Sequence, residues 1–93
     1  MDLAPYSDAI YEVVKEAART QDKFGDFASM HEAYGVLAEE FAELFDAVRM
    51  RQNENGIDEH GQVHTRGECI RDEAIQVAAV ALRIAMQAGK VTR

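Results

Sequence analysis

The feature that most constrains the fold is an apolar stripe of helical spacing between residues 29 and 50. Its members recur at intervals of three and four residues, at Tyr34, Leu37, Phe41, Leu44 and Val48. This spacing matches the 3.6 residues of an α-helical turn, so it predicts an amphipathic helix about 30 Å long. Ser29 and Glu32 form a capping box at its start, and we expect the helix to end near Met50.

Two further helices are predicted on either side of this one. The first runs from about residue 5 to residue 21. The third runs from residue 65 to about residue 88, and Gly89 is expected to end it. A second capping box, formed by Thr65 and Glu68, marks the start of the third helix. Residues 52–64 are polar and interrupted by glycine, which predicts a loop. The sequence shows no alternating β-branched runs, so helices alone are expected.

Length and composition favour one small domain. The 93 residues, 1–93, are too few for two cores. Two long apolar helices in a three-helix chain are typical of a bundle that is completed by a second copy. The predicted fold class is therefore all-α, a helical bundle of three main helices completed by homo-oligomerisation.

The net charge and the cysteine count indicate which partners and which cellular compartment to expect. The formal charge of −7 disfavours binding to nucleic acid or to an anionic membrane surface. No apolar run reaches the ~20 residues that span a bilayer. The N-terminus carries acids where a signal peptide carries bases, and a single cysteine fits a reducing compartment. We therefore expect a cytoplasmic protein.

The second helix carries an unusual excess of negative charge. The stretch LAEEFAELFDAV contains four acids, and no lysine or arginine occurs between Glu32 and Arg49. Glu40 and Glu43 are three residues apart, so their carboxylates lie side by side on a helix. A solvated helix face explains any one of these acids, but such faces usually mix both signs of charge. A bound divalent cation such as Mg²⁺ is the alternative, because it prefers carboxylate oxygens.

The third helix carries a narrow polar stripe. Its members are spaced at one and two helical turns, at Glu73, Gln76, Arg83 and Gln87. The rest of the helix is largely apolar. Helical geometry leaves open whether this stripe faces solvent or a polar cavity.

Together these segments resemble a known enzyme family. HEAYGVLAEEFAELFDAV and RDEAIQVAAVALRIA resemble the MazG-like members of the all-α nucleoside triphosphate pyrophosphohydrolases, whose signature is E-x-x-E on one helix and E-x-x-D on a later one. Glu40 and Glu43 match the first half, and Glu73 begins the second. Gln76 stands where the family has an aspartate. The resemblance extends from about Ala18 to Met86.

The resemblance implies both a reaction and the residues that perform it. A Mg²⁺-dependent enzyme of this kind hydrolyses a nucleoside triphosphate to a monophosphate and pyrophosphate, and house-cleaning of non-standard nucleotides is one role. Its dimers or larger oligomers are helical bundles. Glu39 would assist the attacking water, and Arg83 and Lys23 would contact phosphate. The amide of Gln76 would bind the metal or hydrogen-bond the substrate. The implied metal ligands are Glu40, Glu43, Glu73 and Gln76.

Gln76 keeps alternatives open. An amide offers a neutral oxygen in place of a charged one, which lowers metal affinity. A catalytically impaired helical module, acting in nucleotide binding or protein interaction, is the alternative function. A zinc site is not expected, because His60 and His64 lack a cysteine pair to complete the ligand set.

Overall fold

The computed structural model describes residues 1–51 and 54–91, the last without its side chain. A short 3₁₀ turn precedes the first helix. The elements that follow are α1 (Ser7–Phe24), α2 (Met30–Arg49), β1 (Asn55–Ile57), β2 (Val63–Thr65) and α3 (Arg66–Val91). The chain is mostly helical, as its apolar periodicity predicts, and its three main helices are confirmed.

Both predicted N-cap residues cap their helices, and the reciprocal bond that completes a capping box is seen at α3. At α2, the Ser29 hydroxyl accepts a hydrogen bond of 3.0 Å from the backbone N–H of Glu32. At α3, the Thr65 hydroxyl accepts from the N–H of Glu68 at 3.2 Å, and the Glu68 carboxylate accepts from the N–H of Thr65 at 3.0 Å. These bonds satisfy N–H groups that have no partner within the helix.

The region predicted as a loop contains an antiparallel hairpin, so the expectation of helices alone was wrong there. Asn55 pairs with Thr65 and Ile57 with Val63. Asp58 organises the turn, because one carboxylate oxygen accepts the N–H groups of two turn residues at 2.9 Å each. Strands of three residues are too short to show an alternating pattern in the sequence.

Two helix ends also differ from the predicted ones. α1 continues to Phe24 and stops where Gly25 adopts a positive φ of 72°. α3 continues through Gly89, which therefore does not end the helix. A glycine within a helix costs ~1 kcal/mol relative to alanine, which the neighbouring helical turns can offset.

The three helices form an open arrangement with α3 in the centre. α3 packs against both α1 and α2, whereas no Cα atom of α1 lies within 8 Å of one in α2. The molecule measures 48 × 33 × 22 Å. Its smallest dimension, 22 Å, is about two helix diameters. The three helices therefore form a flat arrangement with exposed broad sides.

Small residues form most of the core. The buried side chains include Phe27 and Val80 together with four alanines, Ala17, Ala33, Ala47 and Ala79. The predicted stripe of α2 only partly faces inward, since Leu37 and Leu44 are half-buried while Tyr34 and Phe41 are exposed. Alanines let helix backbones approach closely, so α2 turns its alanine side towards α3. No helix in the described part of the chain is long and apolar enough to cross a membrane.

Candidate functional site

Three glutamates from two helices meet where α2 packs against α3. Glu40 and Glu43 lie one turn apart on α2, and Glu73 reaches them from α3. One carboxylate oxygen from each residue lies within 4.8 Å of the other two. The E-x-x-E spacing brings the first pair together on one helix face, and helix packing adds the third carboxylate.

The cluster combines partial burial with mutual repulsion. The Oε2 atoms of Glu40 and Glu73 are buried and have no hydrogen-bond partner in the described structure. Burial, followed by the charge of Glu43, raises the pKa of Glu73 to about 7. The pKa of Glu40 is also raised, first by burial and then by Glu43. Three ionised carboxylates in this space are therefore unfavourable without a positive charge nearby.

The donor set fits a hard divalent cation. All three groups are carboxylates, which are preferred by Mg²⁺ and Ca²⁺ over sulfur or imidazole ligands. A cation here would give the two buried oxygens a partner and remove the repulsion that raises their pKa values. The carboxylates are the part of the predicted site that the fold brings together.

The predicted metal ligand Gln76 and the predicted catalytic residue Glu39 lie outside this group of three carboxylates. Gln76 is half-buried one turn beyond Glu73, and it lines both a cleft of about 770 Å³ and a smaller cavity of about 290 Å³. Glu40 also lines the smaller cavity. Glu39 is exposed and lies outside the group of three carboxylates. A role for Glu39 in orienting water remains a prediction.

Arg83 and Lys23, the predicted phosphate contacts, have different surroundings. Arg83 is only 7% exposed, and its guanidinium lies 4.4 Å from the centre of the Phe27 ring. It donates to the Gln21 side chain at 3.2 Å and to the backbone carbonyl of Gly25 at 2.9 Å. Lys23 is exposed, with its ammonium 5.2 Å from an aromatic ring. Arg83 therefore supports the α1–α2 connection, and a phosphate contact would use its remaining donors.

The larger cleft lies between α1 and the hairpin, with α3 as its floor. Glu73 and Gln76 line this floor, so the cleft opens onto one member of the carboxylate cluster. The opposite walls carry Lys15 and Arg19 from α1, and Asp58 and His64 from the hairpin, among other residues. Sequence reasoning did not find the hairpin residues, because nothing in a polar loop sequence indicated that it would fold over α3.

Comparisons of this chain with models of known families, with curated proteins and with solved structures found no match. The likeness to MazG-like proteins therefore remains a resemblance carried by the motif residues. The functional interpretation has to be made from the geometry of the carboxylates and the cleft.

Proposed function

We propose that this chain is a Mg²⁺-dependent nucleoside triphosphate pyrophosphohydrolase of the cytoplasm. The observation that carries the proposal is the meeting of Glu40, Glu43 and Glu73, two of which have a buried oxygen without a partner. Structural carboxylates of this kind are usually paired with bases, because buried charge is costly. A triphosphate is an acceptable ligand for a protein of net charge −7 only if cations stand between the two.

The proposal assigns a role to each group of site residues. Glu40, Glu43 and Glu73 would hold the cation, with Gln76 offering an amide oxygen beside them. Bound Mg²⁺ supplies charge neutralisation for the phosphates and activates water. Glu39 would orient the water, and Lys23 and Arg83 would contact phosphate oxygens. Attack of this water on the α-phosphorus would break the bond to the oxygen that bridges the α- and β-phosphates. The products are then a nucleoside monophosphate and pyrophosphate.

Release of pyrophosphate from a panel of standard and modified nucleoside triphosphates tests this function. Wild type is compared with Glu43→Gln, with and without Mg²⁺. Asp46→Asn serves as the control, because it removes a charge from an exposed position one turn away on the same helix. We expect Mg²⁺-dependent release that is abolished by Glu43→Gln and retained by Asp46→Asn. Undiminished release by Glu43→Gln would refute the proposed site.

Gln76 favours a second candidate, a nucleotide-binding module without turnover. The side chain lines the same cleft as Glu73 and the same smaller cavity as Glu40. It stands in the position where the resembled family has an aspartate, and its neutral oxygen would bind a cation less tightly. Under this alternative, a nucleotide with Mg²⁺ raises the melting temperature but is recovered unchanged. The same panel separates the two candidates, because the second gives stabilisation without pyrophosphate.

We further propose that the protein works as a homo-oligomer. The chain exposes 6987 Å², whereas a compact monomer of 10.4 kDa exposes about 5400 Å². Its radius of gyration of 14.7 Å likewise exceeds the ~12 Å of a compact chain of this length. The excess of about 1600 Å² is comparable to the ~1000 Å² or more that each partner contributes to an obligate dimer.

The face that a second copy would cover is the outer side of α2. Phe41 and Phe45 are 54% and 59% exposed there, next to Tyr34 and Val48. We expect wild type to be a dimer by light scattering and Phe41→Ser to shift it to monomer. Phe24→Ser is the matched control, since Phe24 is 66% exposed at the end of α1. A monomeric wild type, or an equal effect of both variants, would contradict this assignment.

A further inference from the structure

The hairpin contacts α3 at two places. Gly56 passes directly over Cys69, since a Cβ atom at residue 56 would lie 2.9 Å from the Cys69 Sγ. The thiol also donates to the backbone carbonyl of His64 at 3.8 Å. The hairpin therefore covers Cys69, which is half-buried. Cys69 is the single cysteine of the sequence. A side chain at position 56 would therefore require the thiol or the hairpin to shift.

The second contact is made by the side chain of His64, which lies between two carboxylates. Its Nε2 atom is 2.7 Å from Oδ2 of Asp58 in the hairpin turn, and its Nδ1 atom is 3.4 Å from Oδ2 of Asp72 on α3. A neutral imidazole carries one N–H and one lone pair, so it can favour only one of these carboxylates. The protonated ring donates from both nitrogens and joins the hairpin to α3.

The charges around this ring come from three elements. Asp58 belongs to the hairpin, and Asp72 and Glu68 to α3, so the nearest groups are all acidic. The hydrogen bond to Asp58, with the charges of Asp72 and Glu68 adding to it, raises the pKa of His64 above its ordinary 6.5. Across the cleft, α1 carries two acids and two bases on the facing wall: Glu12, Lys15, Glu16 and Arg19.

The hairpin is also a wall of the cleft that reaches Glu73. Gly56, Ile57, Asp58, Glu59 and His64 all line this cleft opposite α1. Glu59 of the hairpin turn and Arg19 of α1 lie on opposite walls of this cleft and carry opposite charges. Movement of the hairpin away from α3 would widen the cleft and uncover Cys69 together.

We propose that the β1–β2 hairpin is a pH-sensitive lid on this cleft, held closed by protonated His64 bridging Asp58 and Asp72. The lid is closed when the ring is charged. As pH rises and the ring loses its proton, one nitrogen lone pair faces a carboxylate and the bridge to α3 weakens. The regulation of access to Glu73 rests on the proposed function, but the movement of the hairpin does not.

Reactivity of the single cysteine tests the lid without any nucleotide. The rate of disulfide exchange with 4,4′-dithiodipyridine is measured from pH 5.5 to 9 for wild type and His64→Gln. Dividing the two rates at each pH removes the pH dependence that both proteins share. His60→Gln is the matched control, because His60 lies on the same turn with its side chain exposed.

Below the pKa of His64, we expect His64→Gln to react about threefold faster than wild type, the scale of a part-exposed ion pair. The two rates should converge as pH rises, whereas His60→Gln should follow wild type throughout. Asp72→Asn, which removes the α3 half of the bridge, should behave as His64→Gln does. Gly56→Ala should raise reactivity at every pH, because its new methyl group meets the thiol.

Equal rates for wild type and His64→Gln across the range would overturn the lid. So would a ratio that does not change with pH, since a purely structural role of His64 gives the same ratio at pH 6 and pH 9. Absence of pyrophosphate release would refute the proposed enzyme but would leave these rates unaffected. The two proposals therefore fail separately.

Discussion

Replacing Glu73 by glutamine should make the protein more stable at pH 8 in the absence of Mg²⁺. Burial and the neighbouring Glu43 raise the pKa of Glu73 from its ordinary 4.5 to about 7. The folded state therefore holds this proton more tightly than the unfolded chain does. The associated stability is fully present below pH 4.5 and is lost as pH rises to about 7. Glutamine remains neutral and has nearly the same shape.

The size of the effect follows from the shift. At ~1.4 kcal/mol per pKa unit, the change from 4.5 to about 7 corresponds to ~3.5 kcal/mol. Partial contact with solvent and sharing of protons within the cluster reduce this, so we expect about 1–2 kcal/mol. For a domain of this size, ~1 kcal/mol raises the melting temperature by about 4–8 °C.

The assay is thermal unfolding at pH 5 and pH 8, at one fixed protein concentration because an oligomer's melting temperature depends on it. At pH 5, where Glu73 is still neutral in the folded state, the melting temperature of Glu73→Gln should lie only slightly above that of wild type, and at pH 8 it should lie clearly above it. Mg²⁺ should raise the melting temperature of wild type at pH 8 and have a smaller effect on that of Glu73→Gln. Asp46→Asn, at an exposed position, should change little at either pH. An equal gain at both pH values would show that the buried charge of Glu73 is not the cause.

Three other changes have defined outcomes. Gln76→Asp should increase Mg²⁺ affinity, measured as the Mg²⁺ concentration that half-completes the rise in melting temperature; an unchanged midpoint would exclude Gln76 from the site. Arg66→Ala should lower stability in urea by about 1–2 kcal/mol, because its guanidinium donates to two backbone carbonyls at the end of α2, at 2.8 and 2.7 Å. Gln87→Glu should cost about 1–3 kcal/mol at pH 7, since the Gln87 amide both donates to and accepts from the backbone of Phe27 at 2.8 Å and a carboxylate cannot donate. Recovery of Gln87→Glu at acid pH, measured by the same unfolding, would support this cause.

The sequence was sufficient to place the helices and half of the site. Ser29 and Thr65 define helix starts because capping is a local interaction between residues three apart. The Glu40–Glu43 pair is equally local, since the pitch of a helix determines that residues at i and i+3 are neighbours. Likewise, the apolar spacing of α2 showed that it is amphipathic.

Other features depended on packing between distant segments. The apolar spacing of α2 did not show that Ala33 and Ala47, rather than Tyr34 and Phe41, face α3. That choice depends on how closely two backbones can approach. The hairpin escaped prediction for a similar reason, because its three-residue strands are stabilised by Asp58 and by contact with α3.

The functional residues divide in the same way. By itself the sequence determined that Glu40 and Glu43 share a helix face and that an excess of acid needs an explanation. Only the tertiary structure decided that Glu73, 30 residues from Glu43 along the chain, joins them within 4.8 Å. It also decided that Arg83 supports the α1–α2 connection and that His64 bridges two carboxylates. Local geometry follows from residue spacing, whereas burial and charge proximity follow from which helix faces pack together.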